Sequence, residues 1–533
     1  MAFVITEESA SAAAFGTGDW VTLSLYLIAC VAAGWYASRS KPQDTSSDFF
    51  LAGKSAGTFT VAVSLVSGLT SGISFLGTPS FTYAHGYGFG FASISVVLTA
   101  PFVVFVLAPF YHRIGSSSIY AYLEERFSKN VRTAVACLFI VRMAFYMGIV
   151  LYAPAIAIKG ITGMPEWITV LVCGISTTLY TCKGGMSSVI LTDFMQSLVL
   201  TVGAIVCMSI CIAGTPPGSF ADAWRLDGFF KFDPFRETTF WSIVVGNWFQ
   251  GVAQGGTNQI AVQRYMSTPS LKTMQKTAFA GWMLNAAFTV VLTMLGISLF
   301  AYYSAHGGLP HLDSPDKILP YFISHALPEG VRGLLIAAIL GCTMSVVSGC
   351  LNAISTVLFI DILENVFAFD GSNDTRVVAA AKIITLVSGG VAIFVALLCQ
   401  LLGDSLIKLN QTFLGMTSGP VLGTFLLGML TVRANAKGVL LSFALSTLLI
   451  LYFGIGSLWC TGNSTSTAIC SHGFLTFAEI SNFWFNPFLC VFTFLVGCMA
   501  SAAFEGRRFD VEKLTMCATS GKEHEEKLLV YST

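Results

Sequence analysis

Two stretches decide the fold: Ser64-Leu65-Val66-Ser67-Gly68-Leu69-Thr70-Ser71-Gly72-Ile73-Ser74, running on to Gly77-Thr78-Pro79, and Gly251-Val252-Ala253-Gln254-Gly255-Gly256-Thr257-Asn258-Gln259. Each lies in the middle of a long, otherwise apolar run. A helix in hydrocarbon must satisfy its own backbone, and breaks are tolerated only where the freed groups line protein or water. Small and polar residues clustered in mid-span therefore mark either a broken helix or a close helix–helix contact through small side chains. The two clusters sit five apolar runs apart. Interruptions at matching places in two halves point to a binding site between inverted repeats, here runs 2–6 and 7–11.

The rest of the chain supports a membrane setting. Of 533 residues, 54% are hydrophobic and 11% charged, against about 25% charged in an ordinary soluble domain. With 28 basic and 28 acidic residues the formal net charge is zero, which leaves no electrostatic footprint for nucleic acid. A soluble enzyme is excluded as a first reading, and an all-α polytopic membrane protein remains. A crossing needs about 20 mostly apolar residues. Thirteen such runs lie near 20–38, 58–80, 91–111, 133–158, 166–182, 188–213, 240–263, 278–303, 331–360, 378–402, 406–432, 438–459 and 482–504.

An odd number of spans puts the termini on opposite faces. Placing the C-terminus inside gives the cytoplasmic loops most of the Lys and Arg, from Arg39 through Arg113, Arg132, Lys183, Arg264 and Arg376 to Lys437, and leaves Lys159, Arg225, Lys231, Arg236, Lys317, Arg332 and Lys408 outside. The positive-inside rule selects this orientation. Organisation follows: an extracellular lead (1–17), a peripheral first helix with a cytoplasmic loop (18–57), a first repeat (58–213), an extracellular segment (214–239), a second repeat (240–432), peripheral helices with an extracellular loop at 460–480 (433–505) and a cytoplasmic tail (506–533). The sequon at Asn463 falls outside, in agreement with the orientation, and Cys460 and Cys470 share its loop and can form a disulfide. Glu7 and Glu8 and the lack of a basic start do not read as a cleaved signal peptide.

A third polar cluster, Cys342 to Asn352, places Ser345, Ser348 and Asn352 on one helical face. Serine hydroxyls together with freed carbonyls of the second run make a hard-oxygen cage suited to a small cation, or else interhelical hydrogen bonds. Asp193 stands alone among mid-span carboxylates and needs a cation, water or donors. Arg142 reads as the only basic residue well inside a span; it can meet an anionic solute, pair with an acid, or snorkel to the cytoplasmic face. No nucleophile–base pair or metal cluster sits at membrane depth, so an enzyme is not expected.

Further motifs occur in order: Leu76-Gly77-Thr78-Pro79-Ser80, Gly148 to Ala155, the double glycine of Lys183-Gly184-Gly185-Met186-Ser187-Ser188 with Thr192-Asp193-Phe194-Met195-Gln196, Asn258-Gln259 with Val262-Gln263-Arg264-Tyr265, Pro328 to Leu335, and Ser418-Gly419-Pro420-Val421-Leu422-Gly423. On these the chain resembles the sodium:solute symporter family from about residue 18 to 505, most closely its branch carrying monocarboxylates, iodide and vitamins. The resemblance implies a LeuT-type core of two inverted five-helix repeats. It also implies alternating access, Na+ as coupling ion, and a plasma-membrane protein that works as a monomer surrounded by lipid. By position, sodium would be held by carbonyls of Ser67, Thr70 and Cys342 and by side chains at Ser345 and Val346, with Asp193 and Ser348 where relatives place a second cation. Val346 departs, since it carries no side-chain oxygen. Ser74, Gln254 and Asn258 would line the solute pocket, with Arg142 as partner of an anion. Sugar carriers of the family place aromatic residues before the Asn-Gln; here that stretch has none, and Trp248 is either the filler or faces lipid. The expected activity is sodium-coupled import of a small organic anion, with a sodium-independent facilitator or a solute sensor as alternatives.

Overall fold

The computed structural model describes residues 15–504 apart from 41–42, 217, 221–223, 225, 227–228, 237, 309–316, 368, 370, 403–404 and 463–479, and apart from the side chains of 401–416 and 454–462. Asn463, Cys470 and the Cys460 side chain thus lie outside the described residues, as do most of the lead and the tail.

The described residues form helices and no strands. They run α1 (Thr17–Ser40), α2 (Ser46–Leu51), α3 (Thr58–Leu69), α4 (Gly72–His85), α5 (Ala92–Phe102), α6 (Ala108–Ile114), α7 (Ala121–Arg126), α8 (Lys129–Thr162), α9 (Glu166–Ala213), α10 (Asn247–Gly256), α11 (Gln259–Met266), α12 (Leu271–Ala305), α13 (Ile318–Ala326), α14 (Val331–Val357), α15 (Asp374–Leu402), α16 (Ser405–Leu430), α17 (Ala436–Gly462) and α18 (Phe485–Ala503). Among the described residues nine helices are long and apolar enough to cross a membrane, ten with the bent pair Ser46–Lys54 and Thr58–Leu69, where the sequence suggests thirteen crossings. The difference has a physical origin. The second and seventh runs are each split in two and the fifth and sixth run together in α9, while the eleventh is the single helix α16, whose side chains are described only from Thr417.

At about 1.5 Å per residue, the 48 residues of α9 would far exceed a hydrocarbon core about 30 Å thick. The chain turns at Gly185, whose φ of 49° and ψ of −140° are non-helical. A Cβ there would also collide with the Phe49 carbonyl oxygen at the end of α2. Gly185→Ala therefore meets backbone strain of about 1–3 kcal/mol and a backbone clash together. The expected result is little correctly folded protein on fluorescence-detected size exclusion, while Gly160→Ala, which meets open space, stays close to wild type.

Around the breaks the bundle is layered on α14, whose residues from Leu335 to Val357 are all buried. It packs against α9, α8, α3 and α1. The first helix is tied to it at one end: the Asp19 carboxylate accepts from the Gly330 and Gly333 amides at 2.7 and 2.9 Å and pairs with Arg332 at 3.3 Å. An acid there also complements the positive end of α14. Outward faces such as Leu25, Ile28, Phe105, Phe145 and Phe394 are exposed and apolar, as lipid requires.

Two readings of the charges need correction. Arg142 is not the only inner basic residue, since Arg126 and Arg264 are almost fully buried. Nor is Asp193 the lone carboxylate, since Asp361 is fully buried and pairs with Arg132 at 2.6 Å, while its other oxygen accepts from Ser118 at 2.6 Å. Hydropathy assigns these arginines to loops because the apolar runs stop before them. In three dimensions the loops fold back under the bundle. Arg126 illustrates this by donating to the carbonyls of Gly428, Thr431 and Ala434 at the end of α16, where a cation suits the helix C-terminus.

Candidate functional site

The site starts from the break in the second run. α3 ends at Leu69 and Thr70 is extended, with φ −103° and ψ 113°. α4 then starts from Ser71, whose side chain accepts from the Ser74 amide. The last carbonyls of a helix lack internal donors, and those of Ser67, Gly68, Leu69 and Thr70 accept no backbone hydrogen bond across the gap. Ser197 of α9 loosens the preceding turn, accepting from the Ser67 amide at 3.1 Å and donating to the Val63 carbonyl at 2.8 Å. Sequence reasoning did not single out Ser197; its place one turn after Asp193 was the available signal.

The seventh run breaks correspondingly. α10 ends at Gly256, and Asn258 caps α11 by accepting from the Ile260 amide. Here two of the freed carbonyls are taken: the Tyr111 hydroxyl donates to Gly256 and the Tyr120 hydroxyl to Thr257. Burial pushes the Tyr120 hydroxyl above its usual range, so it stays a neutral donor. The two breaks are therefore unequal. The second run leaves four carbonyls, Ser67 to Thr70, without a backbone donor, and the seventh leaves those of Gln254 and Gly255.

Across that break lies α14. The Ser345 hydroxyl donates to the Ser67 hydroxyl at 2.9 Å, and Ser67 donates in turn to the Asp193 carbonyl at 3.0 Å. Ser348 donates to the Asp193 carboxylate at 3.4 Å and to the Ser345 carbonyl at 2.9 Å. Ser67, Ser345, Ser348 and Asp193 thus meet at one buried point. Cys342 is buried a turn earlier on α14, and Thr70 lies at the gap itself. Val346 is buried beside them and adds no oxygen.

Arg264 completes the cluster. Its Nη2 and Nε lie 2.8 and 3.2 Å from one oxygen of Asp193, and its Nη1 donates to the Ile260 carbonyl at 2.9 Å. Two glycines make the slot. A Cβ on Gly68 would stand 2.6 Å from the guanidinium carbon, and one on Gly349 2.6 Å from Nη2. The carboxylate expected to await a free cation is therefore already answered by a protein cation.

The expected solute residues divide. Ser74 bonds to Ser71 at 3.1 Å, and Tyr146 of α8 lies near Ser71. One helical turn from Tyr146 on α8 is Arg142, whose polar neighbours are Tyr120, Tyr146 and Cys350 and whose buried Nε has no hydrogen-bond partner. Arg142 thus lies inside the bundle near Cys350 of α14, not at lipid as snorkelling requires, and it meets no carboxylate among the described residues. Gln254 is partly exposed on α10. Trp248 is held away from the break: its indole donates to the Leu98 carbonyl at 3.3 Å and packs against Phe102.

This geometry can be set beside known proteins. The family model for the sodium:solute symporter family matches residues 49–445. The chain belongs to the sodium:solute symporter family. The symporter is 31% identical over 457 residues to human sodium-coupled monocarboxylate transporter 1, covering 83% of this chain and 74% of that protein. It is 30% identical over 463 residues to the rabbit (Oryctolagus cuniculus) sodium-dependent multivitamin transporter, covering 83% and 71%. To the human sodium/iodide cotransporter it is 30% identical over 465 residues, covering 84% and 71%. A solved Na+-coupled sialic acid symporter, substrate-bound and outward-open, superimposes with a TM-score of 0.80 over 93% of this chain and 100% of that one at 24% identity. That likeness gives the symporter its fold, the LeuT-type architecture expected from the resemblance. Its class of activity is solute transport coupled to sodium across a membrane that it crosses many times, and not catalysis.

Proposed function

We propose that the symporter imports a small organic anion across the plasma membrane by alternating access, with its N-terminus outside, and that one sodium site at the second-run break drives it. The observation carrying this reading is the pairing of that break's open carbonyls with the Ser345–Ser67 bridge. The half-helices have opposite ends there. The C-terminus of α3 is partially negative and suits Na+, and the N-terminus of α4 is partially positive and suits an anion. Carbonyls of Ser67, Thr70 and Cys342 and the Ser345 hydroxyl form the cation's ligand set. Sodium would tie α3 to α14 and order Ser71, Ser74 and Tyr146 in advance. The solute then meets a prepared site, which is positive coupling between two ligands.

Arg142 supports the anionic substrate class, since a cation inside the bundle without an acid partner among the described residues favours a negative solute. Iodide and monocarboxylates, named for two of the relatives, are such anions. The test is uptake of labelled small carboxylates by wild type and by Arg142→Gln. Losing a charge-assisted hydrogen bond costs about 1.5–3 kcal/mol, so half-saturation should rise by about 10- to 150-fold at normal surface abundance. Unchanged half-saturation would remove Arg142 from the solute site. One observation favours a second reading: Val346 takes an oxygen from the sodium ligand set, as a sodium-independent facilitator would tolerate.

A further inference from the structure

The segment between α9 and the start of the seventh run carries Phe229-Phe230-Lys231-Phe232-Asp233-Pro234-Phe235-Arg236, and transport gives it no task. It is not helical. A turn holds it, with the Asp233 side chain accepting from the Phe235 amide at 3.0 Å. Two contacts fasten it to the bundle. Phe229 is buried over Gly88, where a Cβ would stand 2.8 Å from its ring, and the Pro234 carbonyl accepts from the Ser481 amide at 3.0 Å. With Phe229 turned inward, the other aromatics point out: Phe230, Phe232 and Phe235 are 58%, 68% and 58% exposed.

Three bare phenylalanines within six residues are a large apolar patch for any loop facing water. Where they point decides what covers them. Phe232 lies 6.5 Å from the Trp241 ring and 5.9 Å from the Trp484 ring, at the start of the seventh and thirteenth runs. Below those tryptophans, Phe488, Val491 and Leu495 of α18 are exposed and form lipid-facing wall. Trp484 stands one turn before Phe488, so the patch runs into that wall through the Phe232–Trp484 contact. Trp and Tyr gather at the headgroup level of a bilayer, and Lys231 and Arg236, interleaved with the rings and exposed, have stems long enough to reach phosphates from there.

We propose that residues 229–236 form an interfacial anchor, with Phe230, Phe232 and Phe235 inserted into the bilayer beside Trp241 and Trp484 and with Lys231 and Arg236 at the headgroup phosphates. The anchor steadies the outer end of the seventh run, which enters its first turn through Phe240 and Trp241. The leaflet is the outer one in the orientation proposed above. Membrane contact itself does not depend on that orientation or on the solute, so the proposal fails or stands separately from them.

The experiment uses the full chain in nanodiscs containing a phosphatidylcholine with a diazirine near the top of one acyl chain. After photolysis, peptide mapping should find lipid adducts on 229–236, reduced several-fold in the Phe230→Ser, Phe232→Ser, Phe235→Ser triple variant. Thermal unfolding near wild type shows that this variant still folds, as expected for side chains exposed in the protein. A second readout, hydroxyl-radical footprinting, should find Phe232 protected in nanodiscs. Absence of adducts with rapid Phe232 oxidation would overturn the proposal, because the patch would then face water.

Discussion

Arg264→Ala is expected to leave little folded transporter, while Arg264→Ala combined with Asp193→Asn recovers a substantial part of it. The pair is fully desolvated, with the guanidinium held between Gly68 and Gly349 and 2.8 Å from the carboxylate. Removing one partner of such a pair strands a buried charge and costs about 3–5 kcal/mol, against a total stability of about 5–15 kcal/mol. Removing both charges leaves a cavity and an amide but no stranded ion. Thermal unfolding of the purified variants measures the difference, and Gly68→Ala should resemble Arg264→Ala because its methyl would enter the guanidinium's space. Asp193→Asn alone should unfold early with or without sodium. If Asp193 instead served chiefly as a sodium ligand, the variant would be as stable as wild type in choline and differ only when sodium is added.

The second large effect belongs to Ser345. Its hydroxyl is the α14 oxygen that touches Ser67 at the end of α3, at 2.9 Å. Ser345→Ala should raise the sodium concentration for half-maximal uptake by about 10- to 150-fold, corresponding to about 1.5–3 kcal/mol for one charge-assisted contact. Val346→Ser acts in the opposite direction. It returns an oxygen and lowers half-saturation, while a buried hydroxyl without its ion costs about 1–3 kcal/mol, so the variant should be less heat-stable than wild type in choline and regain the difference in sodium. Sodium titration of uptake and of melting temperature reads both effects.

How much of this was legible in the sequence differs from residue to residue. Both helix breaks were, because Gly68, Thr70 and Ser71, and Gly255, Gly256 and Asn258, spoil apolar runs where nothing else would explain polar residues. The meeting of Ser67, Ser345, Ser348 and Asp193 followed from helical spacing and from the family resemblance. Arg264 was not legible. It follows the seventh run at a point where hydropathy ends the span, and only the fold brings it back under Asp193. Its trace in the sequence is indirect, in that Gly68 follows Ser67 and Gly349 follows Ser348, leaving a channel between two serines. The unequal treatment of the two breaks was also hidden, since Tyr111 and Tyr120 reach Gly256 and Thr257 from residues more than a hundred positions away. The fusion of two runs into α9 turns on the dihedral angles of Gly185, which hydropathy cannot report.

The central claim is that sodium still drives this transporter through a site short of one ligand. The most direct measurement is uptake of a pooled panel of labelled small carboxylates by cells expressing the chain, in sodium medium and in equimolar choline. Uptake present in sodium and absent in choline, and abolished by Ser345→Ala at ordinary sodium, is the predicted result. Equal uptake in both media, made sodium-dependent by Val346→Ser, would contradict it and make the protein a facilitator whose coupling site Val346 has closed.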